Sequence, residues 1–380
     1  DKIGATTYLT LVNNVLNELN EAELTSSNFS SSRGIQTSVK KFVLKAMHEV
    51  YNSLSEIPDL YKSTKQITTT GQRTYALPSS ASPQSGDLAY RKIDWDTFRL
   101  VPKELVTNGE FTSNITGWTT GDGSPSYTSS GNGRLNLNDA AAYQSISTVK
   151  NTTYRLQVRV MSPNSSTSTL AIKVGTTASG GEVLSTTKSV ENFGEGAILD
   201  TTFTATTQTT YIYFETASGV QLDVDYVRIN RNDIALRKLA YISYDNYLQN
   251  YKVTDDTNNK GNYSAPLRVY ILPDHSAFGV SPRPNTSEYT VHYDYYTTHT
   301  DLSAHGDNMS LPDRFRTLIV DRAKYYTYML RSDPQHAQLA DRDFQRKLRL
   351  LKVDYATKND YMRSDIIGES IATNIGGRVS

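Results

Sequence analysis

Apolar residues recur at three- and four-residue steps at both ends of the chain and alternate with polar ones in the middle. Near the start, Tyr8, Leu11, Val12, Val15, Leu16 and Leu19 fall on one helical face, with Thr6 or Thr7 placed to cap it. A Ser-rich linker over 25–34 leads to a second stripe of Ile35, Val39, Phe42, Val43, Ala46, Met47, Val50 and Leu54. That helix is expected to stop before Pro58, because proline drives the preceding residue out of the helical region. Toward the other end, Ser310-x-x-Asp313 has the form of a capping box, with Pro312 in the first turn. Phe315, Leu318, Ile319, Arg322, Ala323, Tyr326, Met329 and Leu330 continue this helix, and all but Arg322 are apolar. Asp333-Pro334 opens another, striped by Ala337, Ala340, Phe344, Leu348, Leu351 and Tyr355. Such stripes must be covered, so helices from the two chain ends are expected to pack together.

Between them the period changes to two. A hairpin is predicted with strands at 65–69 and 73–77 about a Gly71-Gln72 turn, followed by a strand over 91–101. From about 105 to 230 charge thins and Gly, Ser, Thr and Asn become dense. Short alternating runs recur there at 134–137, 154–160, 169–174, 201–205, 211–215 and 222–229, the pattern of a β-sandwich. After it, 241–251 reads as a short aromatic helix or turn, and 269–273 and 289–296 as strands, with Pro282 and Pro284 in the loop between. The predicted fold class is α+β. A four-helix core from both chain ends carries a small β extension and an inserted antiparallel β-sandwich of the jelly-roll kind. The expected domains are 1–104 and 233–364 as two halves of one domain, 105–232 as the insert, and 365–380 as a tail without fixed structure.

Composition narrows the function. Lysine plus arginine equals aspartate plus glutamate at 39 each, so bulk charge does not favour wrapping nucleic acid. The absence of cysteine excludes thiol catalysis and cysteine-ligated metal centres. No apolar run approaches the roughly 20 residues of a spanning helix, and the start lacks the layout of a signal peptide. A product of the cytosol that touches no membrane is expected. Tyrosine outnumbers phenylalanine by 26 to 10, which suits wide exposed surfaces.

The order of these pieces, without the insert, resembles the head-to-tail adaptor ("tail tubular protein A"-like) family of podoviruses. The resemblance rests on the first helix ending Leu16-Asn-Glu-Leu19, on TTTGQRTYALP (68–78) and on RKIDWDTF (91–98). After the insert it rests on LAYISYDNYLQNY (239–251), YTVHYDYY (289–296) and LPDRFRTLIVDRAKYYTYML (311–330). It implies a virion protein that forms a ring, dodecameric in the family, between the portal and the tail nozzle. Genomic DNA would pass through the lumen, and there are no catalytic residues or cofactors to carry over. The insert separately resembles jelly-roll carbohydrate-binding modules, through LVTNGEFTSNITGWTT (105–120) and LDVDYVRI (222–229). Their closing strand has adjacent aspartates, whereas here Val224 separates Asp223 from Asp225, so no structural calcium is carried over.

Candidate site residues follow. Trp118 is expected in the sandwich core, and Tyr127, Tyr143, Phe193 and Tyr213 are candidates for a glycan surface that would meet a tail fibre or a host surface glycan. His299, Asp301, His305 and Asp307 have the side chains of a metal site. They lack helical-turn spacing, and a polar loop accounts for them, so no metal is expected. Arg342, Arg346 and Arg349 share a helix face near Lys347 and Lys352, within a stretch (313–363) holding twelve basic residues against seven acidic. That face is expected against a neighbouring ring protein rather than gripping DNA. Ile366, Ile367, Ile371 and Ile375 of the tail are expected to order on the portal or on a neighbouring subunit. No G-x-S-x-G elbow, phosphate loop or dinucleotide fingerprint is present, so no enzyme is expected. The alternative is a soluble carbohydrate-binding or polysaccharide-degrading phage protein.

Overall fold

The computed structural model describes residues 6–54, 57, 60–77, 93–163, 167–191, 196–256, 263–297, 299 and 301–353. Phe193, Tyr355, the tail over 365–380 and its four isoleucines lie outside them. In chain order the elements begin with α1 (Tyr8–Glu18), α2 (Ile35–Ser53), β1 (Tyr61–Ile67), β2 (Thr74–Ala76) and β3 (Ile93–Pro102). Ten strands follow: β4 (Thr119–Asp122), β5 (Ser126–Thr128), β6 (Arg134–Asn138), β7 (Ala141–Ser147), β8 (Thr153–Met161), β9 (Ser168–Gly175), β10 (Leu184–Val190), β11 (Gly196–Thr204), β12 (Thr209–Thr216) and β13 (Gln221–Arg231). Then come β14 (Arg237–Lys238), β15 (Ala240–Tyr241), α3 (Tyr244–Asn250), α4 (Lys252–Asp256), β16 (Arg268–Ile271), β17 (Ala277–Ser281), β18 (Tyr289–Tyr296), α5 (Arg316–Leu330) and α6 (334–353). The chain is a mixed α+β protein that divides into two compact units.

The first unit draws on both chain ends, up to Ser63 and from Asp294. Thr7 caps α1 by accepting from the Thr10 amide at 3.2 Å. α2 starts after Gly34, whose φ of 56° is one that glycine tolerates best. Leu11, Val12, Val15 and Leu16 of α1 are buried in one hydrophobic cluster with Val39, Val43, Met47 and Val50 of α2. Leu318, Ile319 and Ala323 of α5 and Phe344 and Leu348 of α6 belong to the same cluster. Each large apolar side chain buried this way contributes roughly 1.5–3 kcal/mol.

Two details of α5 differ from expectation. The capping box does not form: the helix is preceded by a 3-10 turn over Asp313–Phe315 without a side-chain cap. The Asp313 carboxylate instead accepts from the Thr6 hydroxyl at 2.6 Å, so a long-range bond takes the place of the local one. Met329 and Leu330 are exposed, at 52% and 54%. The buried face turns toward Asp321 and Thr327 instead, and both are satisfied. The Thr327 hydroxyl donates to the Ala323 carbonyl at 2.9 Å, and Asp321 pairs with Lys324 at 3.2 Å and with Lys347. Arg322, the polar member of the stripe, makes a two-pronged pair with Glu49 (2.6 Å for each prong) and reaches Asp341 at 2.6 Å. Those bonds from Arg322 are the main reason the Glu49 carboxyl is held below its usual range.

The second unit comprises Thr64–Leu77 and Asp94–Tyr293. Its bulk is a sandwich of two five-stranded sheets, ordered β10-β9-β12-β7-β4 and β11-β8-β13-β6-β5, with antiparallel neighbours. Alternation sends Leu156, Val158 and Val160 of β8, Leu170, Ile172 and Val174 of β9, and Ile212 and Phe214 of β12 into a shared core. Trp118 is packed there between Phe111 and Phe214, with ring centroids 5.6 and 5.4 Å away. β13 lies between β8 and β6, and its register on β8 slips between Val224 and Tyr226.

Two four-stranded sheets complete the β-structure, ordered β1-β18-β3-β14 and β15-β16-β17-β2. The hairpin expected over 65–77 is therefore not formed, because β1 joins β18 while β2 pairs with β17 in the other sheet. The turn between them exists, with the Gln72 amide donating to the Thr69 carbonyl at 3.0 Å. The Tyr75 hydroxyl accepts from the Thr69 amide at 3.1 Å and so occupies a donor that a hairpin partner would have used.

Candidate functional site

The outward face of sheet β10-β9-β12-β7-β4 is built by strict alternation. β12 places Ile212 and Phe214 in the core, so Tyr211 and Tyr213 must point the other way. On β7, Ala142, Gln144 and Ile146 face in, leaving Tyr143, Ser145 and Ser147 outward. The register sets Tyr143 opposite Tyr213, and the Tyr143 and Tyr211 rings stand 6.2 Å apart. Lys173 of β9 lies 5.2 Å from the centre of the Tyr213 ring and pairs with Glu215 at 2.9 Å. Tyr213 is only 6% exposed because the β4 backbone crosses it. A Cβ added to Gly121 would come within 2.8 Å of its ring. This burial lifts the Tyr213 hydroxyl above its ordinary pKa. With Tyr213 covered, Tyr143 and Tyr211, both half-buried, are the part of this row that offers apolar ring faces with polar rims, the surface that fits a ligand having both.

Of the four aromatic residues proposed from the sequence, the sheet brings Tyr143 and Tyr213 together. Tyr127 does not join them: it lies on the other sheet, in β5 opposite Leu135, with its hydroxyl 3.4 Å from the Thr112 carbonyl. Tyr211 was missed, although its position two residues before Tyr213 carries the signal, since i and i+2 share a strand face.

The outward row of β7 continues into a cleft of about 480 Å³ lined by Ser145, Ser147, Lys103, Thr107 and Glu288. Glu288 is nearly buried and well satisfied. Its carboxylate accepts from the Tyr154 hydroxyl at 2.7 Å and from Arg231 at 3.0 Å. The same tyrosine oxygen accepts from the Val149 amide at 2.8 Å, and burial pushes its pKa well up.

In the helical unit, Arg342, Arg346 and Arg349 do share one surface. They line a groove of about 770 Å³ on α6, together with Tyr325, Asp341 and the exposed Leu350. Arg346 pairs with Asp343 at 3.7 Å. Lys347 turns away to Asp321. Cations beside exposed leucine fit a protein surface better than a phosphate track.

The histidine–aspartate quartet is split. Asp307 closes a turn by accepting from the amides of Ser303 and Ala304, each at 2.7 Å, and these backbone bonds hold its carboxyl low. His305 packs on Phe29, with rings 6.4 Å apart. His299 and Asp301 stay together and meet His48 of α2, which nothing in the local sequence indicated. In the sandwich, Arg134 and Arg159 approach Asp225 at 3.2 and 3.0 Å, and Asn136 donates to Asp223 at 2.6 Å. Both carboxylates are thus engaged by side chains of their own sheet. Among the described residues, no helix is long and apolar enough to cross a membrane.

Residues 189–366, just under half of the chain, match the family model described as SU10 adaptor protein. No curated protein matches the chain. Among solved structures, the chain is similar to a protein described under "CBM4 structure and function", at 12% identity over 33% of this chain and 99% of that one, with a TM-score of 0.28. It is also similar to the CBM22-1 xylan-binding domain from Paenibacillus barcinonensis, at 15% identity over 36% and 99% of the two chains, with a TM-score of 0.29. A putative sugar binding protein from Bacteroides thetaiotaomicron is similar at 9% identity over 34% and 100%, with a TM-score of 0.28.

Proposed function

We propose that the chain is a virion structural protein, a phage adaptor subunit whose copies form a ring joining the portal to the tail. The observation that carries this reading is the match of 189–366 to the SU10 adaptor protein model. The helical unit supports it, because helices from both chain ends contribute to one cluster. A helical core built from both chain ends could present two different faces to its neighbours, and a head-to-tail contact repeated by rotation closes a ring. The Arg342–Arg346–Arg349 groove would take a neighbouring ring protein, and the tail isoleucines Ile366, Ile367, Ile371 and Ile375 the portal. The sandwich, proposed as a domain inserted over 105–232, would stand outside the lumen, and the tail nozzle would bind the opposite rim. In this reading the work is assembly, without catalysis or a cofactor.

The test is light scattering and negative-stain microscopy of the purified chain with and without its phage's portal protein. Rings, alone or on the portal, are the expected outcome. A monomer that ignores the portal overturns the reading.

A second function rests on the tyrosine face. Tyr143 and Tyr211, backed by the buried Tyr213 and edged by Lys173 and Glu215, form an aromatic row, and a host surface glycan or the carbohydrate of a fibre fits that chemistry. Glycan-array screening of the full chain tests it. Binding lost in a Tyr143→Ala, Tyr211→Ala variant is expected, and no binding to any host polysaccharide sinks it.

A further inference from the structure

The segment after β18 meets α2 in an arrangement that the adaptor reading does not use. His48 and Tyr51 are three residues apart on α2 and so share one helical face. The His299 ring lies parallel to Tyr51, with centroids 4.6 Å apart and planes within 4°. It stands edge-on to His48 at 4.4 Å and 81°. Nε2 of His48 is 3.0 Å from Oδ1 of Asp301, and Nε2 of His299 is 4.0 Å from the same oxygen. One ligand atom from each of the three residues lies within 4.8 Å of the other two.

The His48–Asp301 ion pair, the longer His299–Asp301 approach and the edge-on packing of the two imidazoles each account for one edge of that triangle. Coordination of one ion accounts for all three together. With metal–ligand bonds of about 2.0–2.1 Å, tetrahedral donors stand roughly 3.3 Å from one another. The observed separations need only small side-chain rotations to reach that value, and His48 and Asp301 are exposed enough to make them, at 49% and 65%. His299 is the fixed corner: its side chain is 8% exposed, and Tyr51 sets its plane. A ring held by its neighbours before the ion arrives loses little freedom on binding. Two imidazoles and one carboxylate select a borderline transition ion over calcium or magnesium, which prefer all-oxygen sets. The exposed side leaves a fourth position for water, the usual layout of a site with three protein ligands.

We infer that His48, His299 and Asp301 form a binding site for a divalent transition metal, zinc foremost, which fastens the segment after β18 to α2. The site joins residues 251 positions apart in sequence (48 to 299), so the ion would act as a cross-link within the helical unit.

The experiment is calorimetric titration of zinc chloride into the untagged, chelator-treated full chain, with cobalt absorption as a second readout. One zinc per chain and the visible bands of four-coordinate cobalt are expected, with His336→Ala unchanged. The double variant His48→Ala, His299→Ala should weaken zinc at least a hundredfold, and Asp301→Asn, a change at an exposed position, at least tenfold. Circular dichroism checks that the double variant is folded; where it is not, Asp301→Asn decides alone. A wild-type chain that takes up no stoichiometric zinc overturns the site, as does an Asp301→Asn chain with wild-type zinc affinity and cobalt spectrum. Ring formation is not part of the readout, so failure here leaves the adaptor reading standing.

Discussion

The two outward faces of the sandwich arise from the same alternation and carry different chemistry. On sheet β10-β9-β12-β7-β4 the outward residues include Tyr143, Tyr211 and Tyr213, with one ion pair, Lys173–Glu215, at their side. On sheet β11-β8-β13-β6-β5 they include Arg155, Arg159, Asp200 and Asp225, already joined to one another or to Arg134. A ligand arriving at the second face would have to displace partners that are bonded to each other. At the first it meets aromatic surface whose desolvation is favourable. Position on a strand decides which side chains are displayed; whether they are available depends on what their neighbours have already satisfied.

That contrast can be broken or sharpened by substitution. The largest effect should come from Phe214→Ala, since Phe214 lies wholly inside, behind the tyrosine row. A cavity of that size costs about 3–5 kcal/mol, to be read in urea unfolding, and both faces should lose order together. Asp225→Ala comes next. It strips a largely buried carboxylate from Arg134 and Arg159, and a loss of roughly 1.5–3 kcal/mol is expected with glycan binding intact. If binding falls as well, the faces are not independent. Replacing Tyr143 and Tyr211 by alanine should do the opposite, lowering glycan affinity tenfold or more, about 1.4 kcal/mol, while the unfolding midpoint holds.

A smaller effect is expected at Glu104, which belongs to neither face. Burial lifts its carboxyl above the ordinary 4.5, even though the Ile229 and Val106 amides donate to it at 2.7 and 3.1 Å. The folded chain therefore holds this proton after the unfolded chain has released it. Its contribution is complete below the ordinary value and is lost as pH rises toward the raised one. Glu104→Gln should flatten that decline in unfolding measured from about pH 4 to pH 7. An unchanged slope would assign the decline to another group. The smallest change should be Arg155→Ala, an exposed partner of the exposed Asp200, with no shift in the unfolding midpoint at physiological salt.

Much of this was legible in the sequence, and the gaps have physical causes. The runs over 154–160, 169–174 and 222–229 alternate strongly, and each falls within an observed strand. β7 (AAYQSIS) and β10 (LSTTKSV) were missed because small and hydroxyl residues blur their alternation. β17 was missed because its glycine and serine read as a turn. Helix faces were read well where apolar residues dominate, as in α1 and α2. α5 was misjudged at Met329 and Leu330, since partnered polar groups such as Asp321 and Thr327 can take the buried face. The Thr6–Asp313 bond and the meeting of His48 with His299 join residues hundreds of positions apart, and no local pattern encodes them.

Glu288 has a mechanical consequence. Tyr154, at the start of β8, and Arg231, at the end of β13, both close on its carboxylate, and its own carbonyl accepts from the Lys103 amide at 2.8 Å. The two strands that carry these side chains are neighbours in one sheet, and Glu288 immediately precedes β18. Three anchorages at one residue resist bending and torsion far better than a single covalent link. A pull on the sandwich would therefore be felt as torque at the root of β18 instead of being absorbed by a swivel.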